Sequence, residues 1–410
     1  MVIRLRRWRR LRIQTTGNSD TAESTVRILW WQEAFWPRGG GLAVVAQSVL
    51  RGLRECGDEV VVVTALDSTC LPRETDWEGI SVRRFPFWQA LSAGRIDDVV
   101  CLRREIESLR RAFAPDLVHM SGFGPSALFH LESARSAPIP LLLGLHSSNT
   151  LCGATNGMAR QALENAAWVT ACSRSLLDAA CAEVPTIAGR SSVVYNGVDV
   201  PALAPAPLPL RPLLLCVGDL ASHKGFDLAI RALPILLGRF PDLRLVVAGD
   251  GPARDELCRL AAHAGVSAAV ELIGVVQHAN VPRLMNAATV IAVPSRRESF
   301  SLVALEAALM ARPVVAARVG GLPEVVVHGR TGMLVEPDNP AALADAIETL
   351  LASPATAARL GNQARQRARG EFSVRRQVDA YRYRHRQIAK GGRDAGAPAA
   401  GQHGAERACE

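Results

Sequence analysis

The segment VIAVPSRRESFSLVALEAAL, residues 290–309, predicts a buried strand, a loop and a helix in close succession. The strand ends at Pro294, the loop holds Glu298, and the helix begins near Ser301. In open parallel sheets ligands bind beyond the carboxyl ends of the strands, so Glu298 lies where a binding crevice is expected. The free backbone amides at the start of the helix, around Ser301 and Leu302, form a natural site for an anion.

Glu306 occupies an unusual position in the same helix. It follows Leu302 by four residues and stands between Leu305 and Leu309, so its carboxylate points along the apolar stripe. A buried charge without a partner costs several kcal/mol, and we therefore expect Glu306 to have one. The residues alone give equal weight to a ligand diol and to a structural role, either a salt bridge to an arginine or an exposed tilt.

The same order of apolar run, loop and helix repeats from residue 26 onward, which is typical of parallel α/β sheets. A first series of predicted strands comprises residues 27–31, 59–64, 116–120, 139–145, 168–172 and 192–195. A second series comprises residues 212–218, 243–249, 271–274, 290–294 and 313–317. Residues 201–209 lie between the series and contain four prolines, which cannot supply the backbone donors of a central strand.

These patterns predict two Rossmann-like α/β domains joined by a linker. The predicted organisation is a basic N-terminal arm at 1–24, a first domain at 25–200, a Pro-rich linker at 201–211, a second domain at 212–372, a C-terminal helix at 373–390 and a disordered tail at 391–410.

Composition and charge limit the function classes. Of the 410 residues 49% are hydrophobic and 21% charged, as in a folded globular protein. The net charge of +8 owes much to six arginines between residues 4 and 12, and not to a basic surface spread over the chain. Nucleic acid is therefore not expected as a partner. The arm suits either a short amphipathic segment on an anionic lipid surface or a solvated terminus.

No apolar run reaches the ~18 residues that a membrane-spanning helix needs, and the first residues lack the layout of a signal peptide. We therefore expect a cytoplasmic protein, with peripheral contact at the inner membrane face through the arm as a further hypothesis. The nine cysteines form no C-x-x-C pair, which predicts mostly reduced core thiols.

Two further side chains stand directly after predicted strands. Lys224 lies in the loop after residues 212–218, where its charge suits phosphate oxygens, although most lysines in such loops are only solvated. His146 follows residues 139–145, where it could donate a hydrogen bond, shuttle a proton, or merely anchor the next turn.

Several alternative functions fail on spacing. The sequence contains no G-x-x-x-x-G-K-[ST] loop, no G-x-S-x-G elbow and no H-E-x-x-H, which excludes the usual NTPases, serine hydrolases and zinc proteases. It also contains no Asp-x-Asp, the usual carboxylate clamp for a metal on a donor diphosphate, so no metal site is predicted.

In order and spacing, residues 26–372 resemble the retaining glycosyltransferases of family 4. That family has the GT-B fold, an α/β architecture of two Rossmann-like domains facing across a cleft. The motifs that carry the resemblance are Cys56-Gly57-Asp58-Glu59-Val60, Cys172-Ser173, Tyr195-Asn196-Gly197-Val198-Asp199, His223-Lys224-Gly225, Ala248-Gly249-Asp250-Gly251-Pro252, Pro294-Ser295, Glu298 with Glu306, and Gly320-Gly321-Leu322-Pro323-Glu324.

The resemblance implies a role for each matching residue. Glu298 corresponds to the first glutamate of the family's spaced pair, which holds donor-sugar hydroxyls, and Glu306 to the second, which binds the ribose diol. Lys224 corresponds to the basic residue on the donor phosphates, and His146 to the first-domain histidine near the reacting sugar. His146, Glu298 and Lys224 are thus the implied catalytic residues. The other implied donor-binding residues are Gly41, Val276, Phe300, Ser301 and Leu302.

Two departures from the family pattern stand out. Asp219 occupies the position after the first strand of the second domain, where the family usually has an arginine that binds phosphate. Either Arg296 or Arg297 compensates, or donor binding is weakened. Ser299 and Ser301 replace frequent glycines, although a serine at a helix start keeps its amide and adds a hydroxyl cap.

The resemblance implies retaining, metal-independent sugar transfer from a UDP- or GDP-type nucleotide sugar, without a cofactor. The implied acceptor is a hydroxyl of a glycan, a lipid-linked sugar or a small molecule. It is expected against the first domain, where residues 67–79 and 85–95 are predicted as loops. A non-catalytic nucleotide-sugar-binding protein and an epimerase or phosphorylase of the same fold are the alternatives.

Overall fold

The computed structural model describes residues 25–37, 40–66, 70–136, 138–147 and 157–394. The predicted N-terminal arm at 1–24 and residues 395–410 of the predicted tail lie outside these ranges. Within the ranges the chain forms two α/β units, each built on its own sheet. Among the described helices none combines the length and apolarity required of a membrane span.

The first unit is built on an eight-stranded sheet. Its strands are β1 Arg27–Trp31, β2 Glu59–Ala65, β3 Glu74–Trp77, β4 Ile80–Phe85, β5 Leu117–Ser121, β6 Leu141–Leu145, β7 Trp168–Ala171 and β8 Ser191–Val193. Their order across the sheet is β3-β4-β2-β1-β5-β6-β7-β8, and only β3 runs antiparallel to its neighbour. All residues of β5 and β6 are buried because helices cover both faces of the sheet.

The second unit is built on a six-stranded parallel sheet. Its strands are β9 Leu213–Val217, β10 Arg244–Ala248, β11 Val270–Gly274, β12 Val290–Val293, β13 Val314–Ala317 and β14 Gly332–Val335, in the order β11-β10-β9-β12-β13-β14. Each strand predicted from the sequence is present, with its ends within two residues of the prediction. The prediction of two Rossmann-like α/β halves is therefore confirmed.

Helices connect the parallel strands and cover both sheets. Those of the first unit are α1 Gly41–Glu55, α2 Phe87–Ser92, α3 Ile96–Phe113, α4 Ala127–Ser136, α5 Gly157–Asn165 and α6 Arg174–Glu183. The remaining helices are α7 Phe226–Leu237, α8 Arg254–His263, α9 Val281–Ala287, α10 Leu302–Leu309, α11 Leu322–Val325, α12 Pro340–Ala352, α13 Pro354–Glu371 and α14 Val374–Asp394.

The structure differs from the sequence prediction in several elements. Residues predicted as loops form the edge strand β3 and the helix α2, and the strands β4 and β14 were not predicted. In β3 only Trp77 is fully buried, so the strand shows little of the apolar pattern that marks a central strand. The C-terminal helix, predicted to end at residue 390, extends to Asp394.

The predicted linker at residues 201–211 contains neither helix nor strand and is bonded to the second unit. The buried Arg312 donates to the carbonyl of Ala206 at 2.8 Å, and Asn286 donates to the carbonyl of Ala204 at 2.9 Å. These bonds satisfy backbone acceptors that the proline-rich segment cannot pair in a sheet.

The C-terminal helix α14 returns to the first unit and packs against α1. The crossing is close, since a Cβ on Gly52 would lie 2.5 Å from Val378 Cγ2. Arg382 of α14 donates to the buried carboxylate of Asp58 at 3.0 Å. Removing either partner would leave a buried charge, which is strongly destabilising.

A pair of buried histidines joins the same helix to the first sheet. His385 Nε2 of α14 lies 3.0 Å from His119 Nδ1 of β5, and both side chains are 0% exposed. The rings of Trp30 and Tyr381 enclose His119 at centroid distances of 4.0 and 4.8 Å. Burial lowers the pKa of His385 to about 3 and the pKa of His119 well below its ordinary value of 6.5, so both histidines are neutral.

We expect the free energy of unfolding to fall as the pH drops below 6.5. The unfolded chain binds protons at these histidines while the folded chain does not. Their contribution to stability is therefore complete above the unfolded pKa and is lost toward the folded pKa of about 3. One such group accounts for up to about 1.4 kcal/mol per pH unit. Urea denaturation on both sides of the unfolded pKa measures the slope.

His385→Gln should make this pH dependence shallower, because the substituted side chain does not titrate. His263→Gln, at the exposed end of α8, is the matched control and should keep the wild-type slope. An equal slope in His385→Gln and wild type would contradict the assignment.

Candidate active site

A cavity of about 340 Å³ lies between the two units at the carboxyl ends of their strands. The start of α1 and the loops after β6, β8, β9 and β12 all contribute to its lining. The predicted site residues that line the cavity are Gly41, His146, Lys224, Glu298, Phe300, Ser301 and Leu302. The structure thus brings seven of the nine predicted residues to one cavity, while their individual roles stay predictions.

The loop between β12 and α10 ends in a serine that caps the helix. Ser301 Oγ accepts from the amide of Ala304 at 3.3 Å, and Ser301, Leu302 and Val303 line the cavity. The first amides of a helix have no acceptor within it, so this end favours an anion. Ser301 has a φ of 88°, in the region that glycine favours, which costs about 1–3 kcal/mol. The glycine frequent here in the family would avoid that strain.

Lys224 and Glu298 are paired inside the cavity. Lys224 Nζ lies 2.9 Å from Glu298 Oε2, and the side chains are only 23% and 14% exposed. The glycine after Lys224 permits this approach, since a Cβ on Gly225 would lie 2.0 Å from the carbonyl of Pro294 at the end of β12. The two loops therefore meet backbone to backbone, which places the lysine beside the glutamate.

His146 follows β6 on the opposite wall of the cavity. Its Nε2 lies 3.4 Å from Ser121 Oγ, and burial lowers its pKa to about 4, with the Asn196 side chain opposing the shift. The imidazole is therefore neutral near pH 7, so it can donate one hydrogen bond but carries no charge.

Gly41 begins α1 directly across from the start of α10. A Cβ at this position would lie 2.9 Å from Leu302 Cδ1, so a larger residue would push into the neighbouring side chain. The two helix starts therefore come close together across the cleft.

Glu306 lies outside the cavity lining, one helical turn beyond Leu302 and Val303. Its Oε1 is 3.0 Å from Nε2 of His278, and its side chain is 16% exposed. The partner that this half-buried carboxylate requires is thus a histidine. Sequence reasoning missed His278, although its place in the loop after β11, at the carboxyl edge of the sheet, was a usable signal.

Val276 also stands apart from the cavity, in the loop that leads from β11 to His278. Its side chain is half-buried against the large apolar core that both units share. The donor-binding role that the resemblance implies for Val276 stays a prediction.

The cavity contains Asp219, the acidic residue that departs from the family pattern, and one of the two arginines proposed to compensate for it. Asp219 and Arg297 both line it. Arg296 instead bonds Asp227 at 2.8 Å and Asp338 at 2.5 Å, so it is held by carboxylates of its own. Of the two arginines, only Arg297 is therefore placed to compensate for Asp219.

The described part of the chain holds no group of three or more His, Cys, Asp or Glu side chains that could bind a metal ion.

Known protein families match both units. Residues 39–201 match the model described as Glycosyltransferase Family 4, and residues 208–367 match the model described as Glycosyl transferases group 1. The alpha-D-kanosaminyltransferase of Streptomyces kanamyceticus is 30% identical over 297 residues, which cover 67% of this chain and 75% of that protein. The glycogen synthase of Mycobacterium tuberculosis is 32% identical over 279 residues, which cover 64% of this chain and 66% of that protein.

Solved structures share the architecture over most of the chain. The sucrose-phosphate synthase of Thermosynechococcus elongatus has a TM-score of 0.77 at 23% identity and covers 89% of this chain and 100% of its own. Anabaena HepE in complex with UDP-glucose has a TM-score of 0.72 at 22% identity and covers 88% of this chain and 100% of its own. At these identities the likeness shows the fold.

The fold is the GT-B fold, with two Rossmann-like units facing across a cleft. Within that class, the chain belongs to glycosyltransferase family 4. The resemblance drawn from the motifs is thereby confirmed.

We expect the pKa of His278 to lie above its ordinary value of 6.5, because the Glu306 carboxylate bonds and attracts the protonated ring. Glu306→Gln should lower the pKa of His278, since the amide carries no charge. NMR titration of the imidazole resonances measures both values. Glu271→Gln, an exposed change in nearby β11, is the control and should leave the titration unchanged. An equal pKa of His278 in Glu306→Gln and wild type would contradict the pairing.

Proposed function

We propose that this chain transfers a sugar from a nucleotide-diphosphate donor to an acceptor hydroxyl, with retention of anomeric configuration and without a metal. The observation that carries the proposal is the convergence of Lys224, Glu298 and the start of α10 on one cavity, with Glu306 one turn further along the helix. These groups match the parts of a sugar nucleotide in their order along the molecule: Glu298 would hold the sugar, Lys224 and the start of α10 the diphosphate, and Glu306 the ribose.

The phosphate groups would bind at Lys224 and the amides at the start of α10. As the bond from the anomeric carbon to phosphate breaks, negative charge grows on the diphosphate. A lysine and helix-start amides that are already in place stabilise that charge without reorganisation, in the position where other transferases use a metal. Lys224 has three N–H donors, so it can bind a phosphate oxygen and keep its bond to Glu298.

The ribose would bind at Glu306. A carboxylate has two oxygens that accept hydrogen bonds, and Oε1 of Glu306 is bonded to His278. The second oxygen can accept from a ribose hydroxyl, and displacement of His278 would open the first. The imidazole of His278 therefore occupies an acceptor oxygen of Glu306 that a ribose diol could bind in its place.

Retention follows from the chemistry proposed for the family. The Glu298 carboxylate is engaged by Lys224 and lies 3.4 Å from Ser295 Oγ, and the proposed reaction includes no covalent sugar–enzyme intermediate. The acceptor would attack from the face that the nucleotide leaves, with a donor phosphate oxygen helping to remove the acceptor proton. His146 and Glu298 would orient the sugar, and closure of the cleft would exclude water.

A UDP- or GDP-type donor fits the resemblance, and the solved HepE complex contains UDP-glucose. The acceptor is a hydroxyl of a glycan, a lipid-linked sugar or a small molecule. A cytoplasmic location, and contact of the N-terminal arm with a membrane surface, belong to the same proposal. A thermal-shift panel of nucleoside diphosphates and nucleotide sugars identifies the base, because specific binding stabilises the folded state.

We expect Lys224→Ala and Glu298→Gln each to lower kcat by about 10²- to 10³-fold. The first removes the cation that stabilises the charge growing on the diphosphate, and the second removes the carboxylate that orients the sugar. Glu306→Ala should weaken binding of the nucleoside diphosphate by about tenfold or more, since it removes a charged acceptor. Release of nucleoside diphosphate in the presence of acceptor measures kcat, and isothermal titration calorimetry measures binding.

Lys390→Ala is the matched control, because Lys224 and Lys390 are the two lysines of the sequence. It should retain the wild-type kcat. Donor binding without transfer or donor hydrolysis would identify a non-catalytic binding protein instead. Phosphate-dependent release of sugar phosphate would identify a phosphorylase, and conversion of the donor sugar without an acceptor would identify an epimerase.

A further inference from the structure

The motif Gly320-Gly321-Leu322-Pro323-Glu324 has no role in the donor chemistry above, yet it lies between the two units. Its last residue belongs to α11 in the second unit. The Glu324 carboxylate accepts from the amide of Arg174 at 2.8 Å and from the amide of Ser175 at 2.9 Å. It also accepts from the hydroxyl of Tyr195 at 3.0 Å. All three donors belong to the first unit.

The two amides are the first two of helix α6. The third, that of Leu176, donates to Ser173 Oγ at 3.1 Å within the first unit. The cap of α6 is therefore divided between the units, with a serine on one side of the cleft and a carboxylate on the other. Free amides and the helix dipole both favour a negative charge at this point, so the contact is attractive as well as directional.

The second unit holds Glu324 rigidly against the loop that carries Glu298. Arg367 donates to the carbonyl of Glu324 at 2.8 Å and to that of Val325 at 2.7 Å. The amide of Gly321 donates to the carbonyl of Glu298 at 3.0 Å, and a Cβ on Gly320 would lie 1.9 Å from that same carbonyl oxygen. Only glycine fits so close to the Glu298 backbone.

The first unit holds the capped helix beside His146. The amide of Cys172, two residues before α6, donates to the carbonyl of Leu145 at 3.1 Å, next to His146. The Cys172 thiol lies 3.9 Å from the carbonyls of both His146 and Ser299. Any change in the separation of the units at Glu324 would therefore change the separation of His146 and Glu298 across the cavity.

We infer that Glu324 is a positioning residue for sugar transfer: its carboxylate caps α6 across the cleft and holds the closed spacing between Glu298 and His146. This inference rests on the proposed function for its kinetic part. Its structural part, a carboxylate that joins the units, does not depend on any activity. Glu324 lies outside the cavity lining, so it acts through the spacing and not by contact with the donor.

Glu324→Ala should lower kcat by about tenfold or more while the affinity for nucleoside diphosphate changes less than about twofold, since the donor groups of the second unit are untouched. Glu324→Gln keeps one oxygen acceptor and should lie between Glu324→Ala and wild type. Amide hydrogen exchange in the peptide around residues 174–175 should accelerate in both variants, and small-angle X-ray scattering should show a larger radius of gyration without ligand.

Arg174→Pro tests the contact from the other side. Proline is well tolerated at the first position of a helix, and Ser173 has the extended conformation that a residue before proline requires. The variant deletes one donor to Glu324 and keeps the helix, so kcat should fall about threefold or more with donor affinity retained. Glu336→Ala, which removes an exposed carboxylate paired only loosely with Arg318 at 3.6 Å, is the control and should match wild type.

Wild-type exchange and scattering in Glu324→Ala would overturn the interdomain cap. Accelerated exchange with unchanged kcat would overturn the positioning role. If the wild-type chain transfers no sugar from any donor, the proposed function fails, while the exchange and scattering measurements still decide whether Glu324 joins the units. Arg174→Pro keeps the test valid if Glu324→Ala does not fold.

Discussion

Parallel strands deliver the free amides of the helices that follow them to one edge of each sheet, and in this protein the two edges face each other. The cleft therefore concentrates positive backbone dipoles that need negative partners. The start of α10 offers its amides to the cavity, and the start of α6 is satisfied by Glu324 from the opposite unit. One electrostatic requirement thus explains both the anion site and a contact that joins the two units.

The C-terminal helix supplies a second, different connection between the units. It leaves the second unit and packs on α1, where Arg382 meets Asp58 and His385 meets His119 in buried surroundings. These are polar contacts with high desolvation costs, so they stabilise the crossing only while both partners remain in place and the histidines stay neutral. Contacts at the cleft are half-exposed by comparison, which suits a region that must admit substrates.

The departures from the family pattern are accommodated locally. Asp219 and Arg297 bring opposite charges to the same cavity, while Arg296 is held by Asp227 and Asp338. Ser301 has a strained φ of 88°, and its hydroxyl caps α10. Neither change moves Lys224 from Glu298, so the arrangement on which the proposed chemistry depends is preserved.

The sequence by itself determined the two-unit α/β class, because apolar runs that alternate with helices over this length leave parallel sheets as the consistent solution. It also placed seven of nine site residues at one cavity, since each follows a strand or starts a helix at the carboxyl edge. The edge strand β3, the partner of Glu306 and the role of Glu324 were decided only by the tertiary structure. The strand β3 shows little apolar pattern, since only Trp77 is fully buried in it. Glu306 and His278 are 28 residues apart in the sequence, and Glu324 and Arg174 are 150 residues apart. Local periodicity carries no information about groups that meet across such separations.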